Sequence, residues 1–204
     1  SIVSASEWFH ENAAPGSTVL VPDWEEGFPF SLPGRSVDRF HVVHLPLYDP
    51  DGPEKTRRLA EQLASGDHLV FPTKRLYGAV TQARERFEDT DRLFRLLFAG
   101  DLGYTLVRTF SSPPQLLGLR LPSELADESF SVYDHPKAVV FRNARRFGAA
   151  EMERRLREET PTRPLSRNAL LLARPADPHA DSGERIGGTR STFLALLAWA
   201  ALLE

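Results

Sequence analysis

Residues 22–30, Pro-Asp-Trp-Glu-Glu-Gly-Phe-Pro-Phe, place the carboxylates Asp23, Glu25 and Glu26 around the indole of Trp24, with a glycine next in the chain. An indole stacks on the apolar face of a sugar ring, and carboxylates beside it accept hydrogen bonds from the hydroxyls. The alternative is a solvated acidic turn with Trp24 packed on a sheet edge. A glycosidase is defined by the distance between two carboxyl groups across a bond, so adjacency in sequence makes no catalytic pair here. A second set is Tyr133, Asp134 and His135. An Asp–His couple needs a nucleophile, and the chain has no G-x-S-x-G elbow; Asp134 and His135 are read instead as the polar turn of a hairpin. His41 and His44 form H-x2-H, but on a strand residues three apart face opposite ways, which argues against a shared metal. There is no Walker A sequence, no G-x-G-x-x-G and no H-E-x-x-H. No catalytic residue, metal or cofactor is assigned.

These residues have to be positioned by regular elements. Ser4 or Ser6 is a cap for a first helix presenting Ala5, Trp8, Phe9 and Ala13, which Pro15-Gly16 stops. Thr18–Val21 is a wholly apolar strand, 22–40 a loop and His41–Leu45 a second strand. A helix opened by Asp51-Gly-Pro-Glu54 buries Leu59, Ala60, Leu63 and Ala64 and ends at Ser65-Gly66. Asp67–Phe71 is a third strand, Asp91–Ala99 a helix and Tyr104–Phe110 a half-buried strand. Leu116–Leu121 reads as one further strand. Phe130–Tyr133 and Ala138–Phe141 flank the polar turn of an antiparallel hairpin. The fold expected is α/β: a mixed sheet, parallel βαβ in its first half and antiparallel in its second, covered by helices. The acidic loop then lies at the carboxyl end of a parallel strand, where open α/β sheets bind ligands.

The chain has 204 residues, 41% hydrophobic and 26% charged, with no cysteine. One core is expected, burying roughly 70% of the unfolded surface, and neither disulfides nor thiolate metal sites are available. Residues 1–141 hold 14 Lys+Arg against 20 Asp+Glu, a net of −6, whereas 142–174 hold nine Arg and four Glu, a net of +5. A nucleic-acid binder spreads its basic groups over a folded face; here the folded part is acidic, so no nucleic-acid partner is expected. The Arg-rich 142–174 segment reads as an Arg/Glu helix from Gly148 to Glu159 with i,i+4 pairs, or as a contact for anionic lipid headgroups. Residues 161–188 read as a linker. Thr192–Leu203 carries no charge and, as a helix, rises about 18 Å, short of the ~30 Å hydrocarbon core. It is expected to begin a transmembrane helix, the alternative being a buried terminal helix. The expected divisions are 1–145 as an α/β domain, 146–190 as polar helix and linker, and 191–204 as the start of the span.

Several phrases taken in order resemble one family: Glu7-Trp-Phe-His-Glu-Asn12, Pro22-Asp-Trp-Glu-Glu-Gly27, Tyr48-Asp-Pro-Asp51, Arg75-Leu-Tyr-Gly78, Leu97-Phe-Ala-Gly-Asp-Leu-Gly-Tyr104 and Ala126-Asp-Glu-Ser-Phe-Ser-Val-Tyr-Asp-His-Pro-Lys137. The series is similar to the soluble extracytoplasmic loop domain of polytopic GT-C-type membrane glycosyltransferases of bacteria and archaea. These are proteins like dolichyl-phosphate-mannose protein mannosyltransferases, some with a second membrane region named for its tyrosines. The resemblance implies an auxiliary domain on the extracytoplasmic side of the cell membrane. Its partner is the membrane portion of the same polypeptide, which uses a lipid-phosphate-linked sugar at a catalytic centre outside this stretch. A glycan or polypeptide acceptor is the implied substrate contact. The rival expectation is a stand-alone soluble α/β protein that binds a small sugar or nucleotide.

Overall fold

The computed structural model describes residues 2–111, 113, 115–116, 119–120, 136–158 and 165–175. In chain order the elements are α1 (Ile2–Asn12), β1 (Thr18–Pro22), β2 (His41–Leu45), α2 (Pro53–Ser65), β3 (His68–Phe71), α3 (Arg75–Val80), α4 (Glu88–Ala99), β4 (Tyr104–Ser111), β5 (Gln115–Leu116), β6 (Leu119–Arg120), β7 (Lys137–Asn143), α5 (Ala149–Arg157) and α6 (Arg167–Leu171).

One five-stranded sheet in the order β2-β1-β3-β7-β4 organises the chain. β1 pairs in parallel with β2 and β3, and β7 pairs antiparallel with β3 and β4. The mixed α/β sheet is therefore the one that the alternating signals lead to. Ala138–Phe141 is buried on both faces of β7, which lies between β3 and β4 in the sheet. The expected hairpin partner, Phe130–Tyr133, and the turn residues Asp134 and His135 lie outside the described residues. So does the expected transmembrane start at 191–204.

Each face of the sheet has its own core. Leu20, Leu69, Phe71, Val139 and Phe141 face α2 to α6 and pack on Leu59, Leu63, Leu76, Tyr77, Phe94 and Met152. Val19, Val21, Val70 and Val140 face α1 and the 23–40 connection. There Phe9 meets Phe28 and Phe40 edge to face, at centroid distances of 5.3 and 5.1 Å. Burying a ring of this size contributes roughly 1.5–3 kcal/mol, and Ile2, Ala5, Trp8 and Ala13 pack against the same core.

Two glycines are required by geometry. Gly100 ends α4 in the left-handed region at φ 83°. A Cβ on Gly66 would lie 2.5 Å from the Leu20 side chain and 2.8 Å from the Tyr104 hydroxyl, so the end of α2 closes directly over β1.

Several expectations are corrected. Neither Ser4 nor Ser6 caps α1, because the helix already runs from Ile2; Ser6 is buried inside it and its Oγ accepts the Phe30 N–H at 3.0 Å. Leu116–Leu121 is not one strand, since Gln115–Leu116 pairs antiparallel with Leu119–Arg120. Within the expected linker, Ser166 caps α6 by accepting the Ala169 N–H at 3.2 Å. Leu170 and Leu171 of that helix are buried in the first core. The short helix α3 had no clear sequence signal, because Gly78 and its six-residue length leave no helical periodicity to read.

Candidate functional site

The connection after β1 crosses to the α1 face, where Phe28 and Phe40 join the second core, whereas the connection after β3 crosses to the opposite face with Leu76 and Tyr77 of α3. Adjacent parallel strands whose chains leave to opposite sides open a crevice at their carboxyl ends, the usual ligand position in open α/β sheets. Asp23, Trp24, Glu25 and Glu26 leave β1 at this point. Thr73, Lys74 and Arg75 leave β3 at the same point.

Trp24 is 83% exposed and stands at φ 66°, a conformation that costs an L-residue roughly 1–2 kcal/mol. It is not packed on the sheet edge. Asp23 is half-buried, with Oδ1 3.6 Å from His44 Nδ1. Glu25 turns inward, and its Oε2 accepts the Thr73 hydroxyl at 2.9 Å; Thr73 Oγ1 in turn accepts the Arg75 N–H at 3.1 Å. Glu26 is exposed. The four sequence candidates are thus divided: Glu25 anchors the loop, and Asp23, Trp24 and Glu26 form its rim. His41 is also exposed, on the face of β2 opposite His44. Among the described residues no group of three or more His, Asp or Glu side chains is placed to hold a metal ion.

Sequence reasoning missed Thr73, Lys74 and Lys137. Lys74 and Lys137 are buried, and Lys137 Nζ donates to the carbonyls of Leu171 and Ala173 at 3.0 and 2.7 Å. The available signal was Pro72-Thr-Lys directly after an apolar strand: polar groups at a strand's carboxyl end sit where a switch-point loop must be.

A cleft of about 460 Å³ adjoins the rim, lined by Phe28, Phe30, Phe40, Val42, Asp38 and His44 among others. A second groove of about 440 Å³ runs between α1 and β4, past Glu7, Trp8, Glu11, Arg35, Arg108 and Phe110. The Arg-rich helix α5 satisfies its own charges: Arg154 pairs with Glu151 and Glu158, Arg155 with Glu151, and Arg157 with Glu153. Arg146 pairs with Asp67 at 2.6 Å.

The fold is an open α/β domain with an acidic aromatic rim at the switch point of its sheet. No family model matches the chain, and no curated protein or solved structure is detectably similar to it. Among the described residues, no helix is long and apolar enough to cross a membrane.

Proposed function

We propose that this chain is an auxiliary extracytoplasmic domain of a membrane glycosyltransferase, with the catalytic centre outside it, and that its acidic aromatic rim contacts the acceptor. The observation that carries the reading is Trp24: a large indole held outward in an unfavourable backbone conformation, beside two carboxylates, at the switch point of the sheet. Backbone strain on an exposed aromatic gives the fold nothing, so it points to an external contact. The sign of the charge selects which one. Asp23 and Glu26 repel a lipid phosphate and suit the hydroxyl or ammonium groups of an acceptor. The likeness of residues 22–27 and 126–137 to glycosyltransferase loop domains supports the same assignment.

The test pairs two measurements. Titration of the isolated chain with neutral oligosaccharides, followed by NMR, should give shifts confined to 23–26 and weak affinity, on the order of millimolar or about −4 kcal/mol. Trp24→Ala and Glu26→Gln in the complete membrane polypeptide should lower glycosyl transfer while protein level is unchanged. Micromolar binding of a sugar or nucleotide by the isolated chain would instead establish a stand-alone binding protein.

A further inference from the structure

β2 is an edge strand of the sheet. In a parallel ladder the N–H and C=O of one residue point to the same side, and successive residues turn to opposite neighbours. The His41 N–H donates to the Ser17 carbonyl and the Leu45 carbonyl accepts the Asp23 N–H, each at 3.0 Å. His41, Val43 and Leu45 therefore turn toward β1, and Val42 and His44 turn outward. Gln62 Nε2 donates to the His44 carbonyl at 3.0 Å and closes that end of the edge. Both main-chain groups of Val42 and the N–H of His44 remain as outward ladder positions, the arrangement that lets another chain add as a strand.

The aromatic cleft lies beside these positions, with Val42 and His44 in its wall and Phe30 and Phe40 opposite. Asp38 stands in the cleft lining, and Asp23 and Glu26 stand on the rim at its carboxyl end. Arg39 lies over the Phe40 ring, 5.8 Å from its centroid. Three carboxylates, one of them 3.6 Å from the His44 imidazole, against one guanidinium favour a basic visitor. An added strand presents alternate side chains to one face, so a segment paired with Val42 would send one side chain into the cleft and leave its neighbours beside the acids.

We propose that the β2 edge docks an extended polypeptide segment of alternating apolar and Lys/Arg residues. It adds as a sixth strand through Val42 and His44, one apolar side chain fills the cleft, and the basic groups meet Asp23, Glu26 and Asp38. This names polypeptide as the acceptor class, and to that extent it rests on the acceptor-contact reading; the docking itself does not depend on the transferase.

The probes are two blocked hexapeptides of the same alternating pattern, with Val and Phe at the apolar positions and either Lys or Glu at the others. They are titrated into the nitrogen-15-labelled 204-residue chain. The Lys peptide should shift the amides of Val42, His44 and Phe30 and bind at least tenfold more tightly than the Glu peptide. That preference should collapse in about 1 M salt, where charges are screened beyond about 3 Å. Val42→Pro removes an outward N–H from an edge strand, a place where proline is tolerated, and should weaken binding at least tenfold. Asp38→Lys, on an exposed turn, should weaken the Lys peptide several-fold and decides the matter if the proline variant does not fold. Equal binding of both peptides, shifts that map away from His41–Leu45, or an inert Asp38→Lys would overturn the proposal. So would a concentration-dependent dimer dissolved by Val42→Pro, which makes a second copy the occupant. Oligosaccharide shifts at Trp24 with no peptide response would sink the docking alone and leave the rim assignment standing.

Discussion

The Thr73 hydroxyl donates to Glu25 Oε2 across 2.9 Å and ties the loop leaving β1 to the loop leaving β3. Glu25 is thereby held inward, while Trp24, the residue before it, stands outward at φ 66°. Thr73→Val keeps the side-chain shape but removes both the donor to Glu25 and the acceptor for the Arg75 N–H. The expected cost is about 1–3 kcal/mol, with faster amide exchange at 24–26. Thr73→Ser should restore both. Urea unfolding together with hydrogen exchange checks this, and a Val variant with wild-type protection in the loop would show that the tie does not hold it.

Lys55 is buried at the start of α2, and its Nζ donates to the Leu47 and Asp49 carbonyls, Asp51 Oδ1 and Thr90 Oγ1 at 2.7–3.1 Å. The same knot is closed by Asp51 accepting the Asp89 N–H at 2.9 Å and Asp89 accepting the Gly52 N–H at 3.1 Å. Removing the ammonium takes the charged donor from the half-buried Asp51 carboxylate and leaves the Asp49 carbonyl without it, while the Leu47 carbonyl keeps only the Thr90 hydroxyl. Lys55→Met should therefore cost about 3–5 kcal/mol, read as a lower urea midpoint. A loss under about 1 kcal/mol would mean the loop reorganises without it.

Leu171 tests whether the segment after α5 belongs to the core. Its side chain is buried, and its carbonyl accepts from Lys137. Leu171→Ala should cost about 2–5 kcal/mol with an unchanged slope against denaturant, whereas a mere linker would tolerate the change within about 0.5 kcal/mol.

The parallel half of the sheet was legible because its strands are short apolar runs separated by Gly and Pro, and Leu59, Ala60 and Leu63 recur at helical spacing. The position of the acidic loop followed from that topology. What was illegible depends on contacts distant in sequence. Lys55 reads as an exposed helical residue until the 46–52 loop and α4 enclose its ammonium. Leu170 and Leu171 sit in a run too short for periodicity, and the groups they dock on, α3 and Lys137, lie far away in sequence, Lys137 at 34 residues' separation. The inward turn of Glu25 and outward turn of Trp24 could not be separated from their neighbours, because the partner that divides them, Thr73, is 48 residues away.

Acid should destabilise the amino end of the sheet through two adjacent groups. Burial of the His68 imidazole, packed edge to face on Phe9, and the nearby Arg142 and Arg146 outweigh the attraction of Asp67 and hold its pKa below 6.5. Burial alone would raise the Asp67 pKa, but the Thr18 N–H at 2.7 Å and the Arg146 guanidinium at 2.6 Å outweigh it and hold the carboxyl below 3.8. Each depressed pKa means that the unfolded chain binds more protons, so stability rises with pH across the window. The His68 contribution is complete above 6.5 and is lost as pH falls through its lower folded value; the Asp67 contribution is lost only below 3.8. His68→Gln should flatten the stability slope between about pH 5 and 7, where an imidazole titrates, and leave the steeper loss at lower pH. Urea midpoints measured across that range check it, and an unaltered slope in the variant would assign the titration to another group.

Trp24 separates stability from contact. Its side chain is 83% exposed, so Trp24→Ala removes little packing and should change stability by no more than about 0.5 kcal/mol. Trp24→Gly relieves the φ of 66°, a gain of about 1–2 kcal/mol, against about 0.4–1 kcal/mol for the added freedom of the unfolded chain. The glycine variant should therefore be at least as stable as the parent, by up to about 1.6 kcal/mol, and more stable than the alanine variant, which retains a Cβ in the strained turn. Both variants should lose the oligosaccharide-induced shifts at residues 23–26 equally. Loss of the shifts with no loss of stability would assign the indole to the contact and not to the fold. If the glycine variant is instead destabilised by more than about 1 kcal/mol, the indole packs in solution and the rim assignment fails with it.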